Sequence, residues 1–488
     1  GGKAGPGGEA GPGGGAPKDG EAGPDGKAGP ELDPLPELEP LPELEPLPEL
    51  PELPELPALG TLPPLDEPGE PGEPSDDPST GSGEPSREGL RLGDVMTGSL
   101  RIVGAFLHFD DIPELYPAGD DGLVAAVGRV MVDRDWGGRY GLELNYFLDF
   151  TRSPTVGGGS GGAFGTAGST DSVYRSPFLS WTLWQDGSVR STAGVDRFVF
   201  DAKHGPVTFR LGRFPVSYSV GSFFTPNDFL APFSVTAVNR IYKPGVDAIS
   251  VGSSLGMRGA VEVTGVLGSD LEGTPAWGRS ALLARASVVG AGFEWAALGG
   301  KLAERWVVGG SVQGAIDVVG LHAEAHLGIP DVEGDGRDTG DDARPLHVRL
   351  TGGPTLNVGW HGLTVGAEYA FYSDGAREPA ALIDRAGRLF PDDVPLLGRH
   401  YVGAATSLEI IPILRASALG LVDAGDGSGL VGLSLAYSVS NEADLLGGVF
   451  VPWGADPTVT MDPTRPIALG SELGASPLAL YLEARTFF

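Results

Sequence analysis

The sequence contains no cysteine among its 488 residues. Disulfide bonds, thiolate metal sites and cysteine nucleophiles are therefore excluded. It also lacks any run of about 20 apolar residues, the length that a membrane-spanning helix needs. Charged side chains such as Arg285, Glu294 and Arg305 interrupt the apolar stretches. A protein anchored by transmembrane helices is therefore not expected.

Basic residues are scarce relative to acidic ones. The chain has 33 Lys and Arg against 65 Asp and Glu, which gives a net charge of −32. Binding to nucleic acid needs clusters of positive charge, so a nucleic-acid partner is excluded. The sequence shows no Ser–His arrangement and no paired carboxylates that would support catalysis. We predict a protein that is not an enzyme and carries no cofactor.

The N-terminal part is rich in glycine, proline and acidic residues. Glycine recurs every third position through most of 1–30, a collagen-like register that we interpret as a flexible tail rather than a triple helix. In 31–60 leucine recurs every third residue, so a polyproline II stalk would carry all its leucines on one edge. Residues 61–96 are predicted to be a disordered linker. We expect this tail in the periplasm, either as an acidic spacer or docked to a periplasmic or cell-wall partner.

From residue 97 onward the period changes to two. In 140–150 the apolar and aromatic side chains alternate with Gly, Glu, Asn and Asp. The apolar face consists of Tyr140, Leu142, Leu144, Tyr146, Leu148 and Phe150. One apolar and one polar face over about ten residues is typical of strands in a transmembrane barrel. The predicted fold class of 97–488 is therefore all-β, a transmembrane antiparallel β-barrel.

We count eighteen candidate strands in this region. The segment 173–184 has the composition of a nineteenth strand, but a closed bacterial barrel needs an even number. With eighteen strands the long connections fall on one side and the short turns on the other. Sixteen strands stay an alternative, because 288–327 contains few turn signals.

The last strand ends on an aromatic residue, Phe488. In this respect the chain resembles bacterial outer-membrane proteins, whose terminal aromatic residue is the signal for barrel insertion. The resemblance implies that the barrel-assembly machinery reads Phe488 and that the barrel lies in outer-membrane lipid.

A second resemblance lies in 212–232. It is similar to the GR…G…F-x-P-x-D-x-x-x-P segment of large porin-like and polysaccharide-export barrels. The matching positions are Gly212, Arg213, Gly221, Phe224, Pro226, Asp228 and Pro232.

The connection 219–245 is long, aromatic and partly charged. As the third long loop of the predicted barrel, it is expected to fold into the lumen as a constriction. Opposed charges across a narrow pore select solutes by their charge. The predicted pore residues are Arg197, Arg210, Arg213, Phe223, Phe224, Asp228, Arg240 and Lys243. The alternative is that the arginines pair with wall carboxylates such as Asp196 and Asp201.

A group of polar side chains falls on two adjacent predicted strands: His322, Glu324, His326, His347 and Arg349. His and Glu are zinc ligands. Residues 322 and 326 would lie about 13 Å apart along a strand, which is too far to share one ion. We therefore predict a polar lumen wall and no metal.

Three functions fit these observations. The favoured one is a porin for passive diffusion of small hydrophilic solutes across the bacterial outer membrane. An export channel for an extracellular polysaccharide is the second. A structural or adhesion barrel that anchors the acidic tail is the third.

Overall fold

The computed structural model describes residues 95–111, 118–154, 172–232, 243–270, 273–303, 305–330, 346–387, 396–461 and 467–488. The tail and stalk predicted for 1–60, and all but the last two residues of the predicted linker, lie outside this part of the chain. Within it, nearly all regular structure is strand. Among the described residues no helix is long and apolar enough to cross a membrane.

The strands follow one another along the chain with one short helix between them. They are β1 (Met96–Phe109), β2 (Gly119–Trp136), β3 (Tyr140–Arg152), β4 (Ser180–Asp186), β5 (Val189–His204), β6 (Val207–Phe214), β7 (Val246–Ser254), β8 (Gly259–Val266), β9 (Ala281–Gly290), β10 (Phe293–Leu302), β11 (Arg305–Ile316), β12 (Val319–Pro330), β13 (His347–Asn357), β14 (Thr364–Tyr372), α1 (Leu382–Ala386), β15 (His400–Ile411), β16 (Leu414–Asp423), β17 (Gly429–Ser440), β18 (Ala443–Trp453), β19 (Thr458–Val459), β20 (Ile467–Ala468) and β21 (Leu478–Phe487). Strands β19 and β20 pair only with each other.

Eighteen strands form one closed antiparallel ring. β1 pairs with β2 on one edge and with β21 on the other, β3 pairs with β5, and β5 to β18 pair in sequence. At the seam, the Phe488 N–H donates to the Gly98 carbonyl at 2.9 Å, and the Gly98 N–H donates back at 2.6 Å. A closed ring leaves no open sheet edge to face lipid. The prediction of an eighteen-stranded barrel is confirmed, while the role of Phe488 as an insertion signal stays a prediction.

The two faces of each strand differ as the alternation predicts. On β21, Leu480 and Leu482 point outward and are 48% and 62% exposed. Glu483, the residue after Leu482, points inward and is fully buried. On β3, Leu148 and Phe150 are exposed while Phe147 is buried. A water-soluble sheet would bury its apolar face. An apolar exterior over a polar interior is the pattern of a barrel in lipid.

Trp residues mark both ends of the barrel wall. Trp136 and Trp360 lie at the short turns, and Trp277 and Trp453 lie at the ends that carry the long connections. All four are exposed. Indole rings at these two levels form the aromatic girdles that sit at the membrane interfaces.

The segment considered as a nineteenth strand does form a strand, but outside the ring. β4 pairs with residues 189–194 of β5, whereas β6 pairs with residues 198–204 on the same edge of β5. β4 thus extends the wall beyond the point where β6 ends. The ring keeps its even number of strands, as expected.

β6 ends at Phe214, although the period-two pattern of the sequence continues to Tyr218. The next residue, Pro215, has no N–H and cannot donate to the sheet. Val216 and Tyr218 still alternate, and both are buried. They pack on the inside of the barrel, so the alternating pattern continued after the ladder of hydrogen bonds had ended.

Candidate functional site

Residues 215–232, which we call the inward segment, leave the wall at the end of β6. Its buried side chains include Val216, Tyr218, Phe229 and Leu230. They belong to one apolar cluster with wall residues of β7 to β11, namely Val246, Ala248, Val266, Ala281, Leu283, Leu298, Leu302 and Val307. Burial raises the pKa of Tyr218 to about 12. The segment is therefore packed against the inner wall rather than extended into solvent.

The tip of the segment is a β-turn. The Asp228 N–H donates to the Thr225 carbonyl at 2.9 Å, with Pro226 and Asn227 at the two central positions. Proline at the first central position presets the backbone angle that this turn needs. The turn reverses the chain, so residues 219–224 and 229–232 form its two limbs.

Glu324, in the middle of β12, holds the first limb and the turn. Its carboxylate accepts hydrogen bonds from the Ser219 hydroxyl at 2.7 Å, the Val220 N–H at 2.5 Å and the Asn227 N–H at 3.1 Å. The Glu324 residue is 3% exposed. A buried carboxylate is tolerated because these donors replace the water that it has lost.

Glu368, in the middle of β14, holds the next residues of the same limb. Its oxygens accept the N–H groups of Ser222 at 2.6 Å, Phe223 at 3.1 Å and Phe224 at 3.0 Å. His322 Nε2 lies 2.9 Å from Glu368 Oε1. Backbone donors of a loop away from water must find partners. Glu324 accepts the N–H of Val220 and Glu368 accepts those of 222–224, while the Gly221 N–H donates to the Ser219 hydroxyl oxygen at 3.3 Å.

The end of this limb reaches the far wall. The ring of Phe224 packs against Tyr401 of β15, with 5.9 Å between ring centroids. A methyl group on Gly403 would come within 3.1 Å of Phe224 and 3.2 Å of Phe223. β15 is the ninth strand from β6, counted through β7 to β14 or through β5, β3, β2, β1, β21, β18, β17 and β16. The segment thus spans the barrel between opposite strands.

Asn227 fixes the turn laterally. Its Nδ2 donates to the Gly310 carbonyl at 3.2 Å, and its Oδ1 lies 3.1 Å from His326 Nδ1. The His326 ring also meets the edge of Phe229 at 5.1 Å and His347 at 5.7 Å. Both histidines are buried, so this part of the predicted polar wall contacts the segment rather than the open lumen.

Arg349, the last member of the predicted polar wall, is bound at the end of its strand. Its guanidinium donates to Asp374 at 2.8 Å, and Arg385 of α1 donates to the same carboxylate at 3.0 Å. Burial alone would raise the pKa of Asp374, but these two cations hold it well below its usual range. Among the described residues, no group of three or more potential ligands is placed to hold a metal ion.

Two of the predicted pore arginines pair with carboxylates of neighbouring strands. Arg197 lies 3.0 Å from Glu143, and Arg210 lies 2.8 Å from Asp201 and stacks on Phe214. The alternative that wall carboxylates neutralise the arginines is therefore the arrangement found for Arg210. Arg197 is also paired with a wall carboxylate, but its partner is Glu143.

Arg213 does not border open space, contrary to expectation. Its side chain is fully buried and bonded to Asp247 at 2.6 Å, and it donates to the carbonyls of Val195 at 3.0 Å and Ser176 at 2.9 Å. The three partners belong to β7, to β5 and to the residues that precede β4. Arg213 thus ties together the junction where β4 takes over from β6.

The remaining predicted charges of the loop also pair locally. Lys243 forms an ion pair with Asp228, and both are largely buried. Burial lowers the pKa of Lys243 against the opposing effect of the Asp228 carboxylate. Arg240 lies outside the described residues. Asp228 and Lys243 are thus paired with each other, and their expected arrangement opposite the wall arginines stays a prediction.

Glu368 is the important residue that the sequence-based reasoning missed. It lies on the polar face of β14, whose residues alternate with a period of two. An acidic side chain in the middle of a lumen-facing strand, with no basic residue beside it on that strand, was the available signal. Its partners come from a loop more than 140 residues away, and no local pattern indicates them.

A cavity of about 380 Å³ lies beside the first limb of the inward segment. Ser222 and Phe223 border it on one side, and the inner wall from β13 to β18 and β21 borders it on the other. The wall side includes Thr355, Thr364, Gly366, Ala405, Ser407, Ser417, Leu419, Gly432, Ser434, Phe450 and Tyr481. The segment therefore leaves space on the side of the barrel away from β6.

A second segment, 469–477, meets the barrel near the far wall. Glu472 accepts the N–H groups of Leu397 at 3.0 Å and Gly398 at 2.8 Å and the hydroxyl of Tyr401, and its own N–H donates to Asp426 at 2.6 Å. Burial raises the pKa of Glu472 to about 7. We call this stretch the rim segment.

These features define the class of protein. An even number of antiparallel strands in a closed ring, an apolar exterior and a polar inner wall make residues 96–488 a transmembrane β-barrel of the bacterial outer-membrane type. With eighteen strands, it belongs to the size class of the porins.

No model of a protein family matches the chain, and no curated protein does. Several solved structures have a similar course of the chain. OpdL of Pseudomonas aeruginosa shares 9% identity over 81% of this chain and 99% of its own, with a TM-score of 0.49. OccAB3 of Acinetobacter baumannii shares 11% over 81% and 100%, with a TM-score of 0.47. A BenF-like porin of Pseudomonas fluorescens Pf-5 shares 11% over 81% and 99%, with a TM-score of 0.46. These values are too low to transfer functional details between the proteins.

Proposed function

We propose that the chain is an outer-membrane porin for passive diffusion of small hydrophilic solutes, and that the inward segment is its constriction. One observation carries the proposal: the segment that follows β6 is bonded at mid-strand to Glu324 and Glu368 and packs on Tyr401 of the opposite strand. The wall of an eighteen-stranded barrel alone leaves an open aqueous channel. A chain segment across that channel sets the size of what passes.

The way the segment is held supports a fixed constriction rather than a loose plug. At least six hydrogen bonds run from the segment to the two carboxylates. A hydrogen bond to a charged group contributes about 1.5–3 kcal/mol. The apolar base around Phe229 and Leu230 adds burial on the near wall. Together these contacts favour one fixed position of the segment over a mobile one.

A planar lipid bilayer tests the channel function directly. The folded, purified protein is added at low concentration, and the current is recorded under a fixed voltage. Stepwise, ohmic increases in current are expected, because each inserted barrel adds one water-filled path. The same preparation after heat unfolding is the control and should give no steps. A folded barrel that inserts but carries no current would contradict the proposal.

A further inference from the structure

The open side of the lumen has an unusual chemistry. Opposite Ser222 and Phe223, the inner wall around the cavity carries serine and threonine hydroxyl groups on five strands. These are Thr355 of β13, Thr364 of β14, Ser407 of β15, Ser417 of β16 and Ser434 of β17. All five are partly exposed. Gly366, Ala405 and Gly432 line the cavity beside them and leave room for a solute, and Leu419, Phe450 and Tyr481 also border it.

Among the described residues that line this cavity, no side chain carries a free charge. Glu368 is the charged side chain that borders the cavity, and it is 2% exposed, with its oxygens bound to His322 and to three N–H groups of the inward segment. Nearer the short turns, the same wall carries the opposite-charge pairs Arg415–Glu409 and Arg485–Asp444. A solute beside the cavity wall therefore meets hydroxyls, backbone and the apolar side chains of Phe223, Leu419 and Phe450.

These surroundings discriminate by charge. An ion that enters a narrow passage loses part of its hydration, and a lining without opposite charge does not replace it. A neutral polyol loses hydrogen bonds to water too, but hydroxyl groups both donate and accept, so serine and threonine can replace them. The apolar face of a sugar ring can also contact Phe223. The lining therefore opposes ions and accommodates neutral hydroxylated solutes.

We infer that the passage between the inward segment and the β13–β17 wall selects uncharged polyhydroxylated solutes of monosaccharide size over organic ions of the same size. This inference rests on the proposed porin function. It adds the class of solute and assigns the selectivity to the hydroxyl-lined wall, not to the wall arginines that the sequence had indicated.

Swelling of protein-containing liposomes in three solutes of matched size tests the inference. The solutes are glucose, gluconate and glucosamine, which are neutral, negative and positive. We expect glucose to enter severalfold faster than either ion. Entry of gluconate or glucosamine as fast as glucose, from a working channel, would overturn the inference and leave the porin function intact. Failure of all three to enter would overturn both.

A single substitution localises the effect. Ser417→Asp places one negative charge in the lining, and we expect glucosamine entry to rise and gluconate entry to fall, each severalfold. Ser440→Asp is the control. Ser440 is the last residue of β17, its side chain is exposed beside the short turn, and the substitution adds the same charge away from the cavity. Ser407→Asp repeats the test on the neighbouring strand if the first variant does not fold. Unchanged rates in folded Ser417→Asp and Ser407→Asp barrels would show that solutes do not pass this wall.

Discussion

Among single residues, Glu324 and Glu368 decide where the inward segment lies. Each sits in the middle of a strand, and each gathers several donors that would otherwise have no partner in the barrel interior. Since a carboxylate accepts up to about four hydrogen bonds, one side chain can fix several residues of loop. The position of the segment thus depends on two side chains of the wall more than on its own sequence.

Glu368→Gln tests this dependence. Glutamine has the same shape, but it has one acceptor oxygen and carries no charge. The hydrogen bonds from the N–H groups of 222–224, worth about 1.5–3 kcal/mol each, are therefore weakened or lost. We expect larger and more variable single-channel conductance from a barrel that still folds.

Glu409→Gln is the matched control, because Glu409 faces the same lumen but lies 3.9 Å from Arg415 and does not contact the segment. Its conductance should equal that of the unchanged protein. Identical conductance for the Glu368 and Glu409 variants would contradict the anchoring role of Glu368.

Two arginines three residues apart on β6 differ in what surrounds them. Arg213 is enclosed and bonds to Asp247 and to two carbonyls, whereas Arg210 is partly exposed beside Asp201. Removing one member of a buried ion pair costs about 3–5 kcal/mol, but an exposed pair contributes about 0–1 kcal/mol. From the sequence alone, Arg210 and Arg213 were both predicted to be pore residues.

Arg213→Lys should therefore lower the stability of the barrel much more than Arg210→Lys. Lysine keeps the charge but cannot reach Asp247 and both carbonyls at once. The measurement is the temperature at which each variant loses the fast gel migration of a folded barrel. Equal midpoints for the two variants would contradict the structural role assigned to Arg213.

At the level of elements, the strands of the wall were predictable and the segments inside were not. Period-two patterns such as that of β3 follow from the contrast between lipid outside and water inside, which acts on every residue of a strand. The period-two pattern of β6 runs past the end of the strand at Phe214. Val216 and Tyr218 keep the pattern for a different reason, because they pack against the inner wall. The inward fold of the loop was expected from its position, but its anchors depend on contacts that are far apart in sequence.

The docking of the rim segment on the barrel is expected to depend on pH through the carboxyl group of Glu472. Its pKa is raised to about 7 by burial, so the protonated form is the one that the docked segment favours. Asp423 and Asp426 lie beside it, Tyr401 donates to it, and His400 lies next to Asp423. The stabilisation is complete below the ordinary glutamate pKa and is lost as the pH rises through about 7.

Hydrogen exchange of 469–477 measures this effect. We expect the backbone to be better protected near pH 5 than near pH 8, after correction for the intrinsic exchange rate. Glu472→Gln is the control, because an amide does not titrate and should keep the same protection at both pH values. A pH dependence that persists in Glu472→Gln would assign it to another group.

For the whole molecule, the ring closes within 96–488, and all three apolar clusters of described residues lie inside it. We therefore predict that deletion of 1–88 leaves a folded barrel. The truncated protein should keep heat-modifiable gel migration and a β-rich circular dichroism spectrum in detergent. A truncated chain that inserts into membranes poorly would mean that the tail assists assembly.

The central claim is that the inward segment narrows the channel. Its most direct test is the single-channel conductance of a protein in which 219–230 is replaced by a short Gly-Ser linker. The hydrogen-bonded wall is continuous without the segment, so the barrel should still fold. We predict a conductance severalfold above that of the unchanged protein, with weaker discrimination among solutes by size. An unchanged conductance in the folded variant would mean that the segment does not limit the passage.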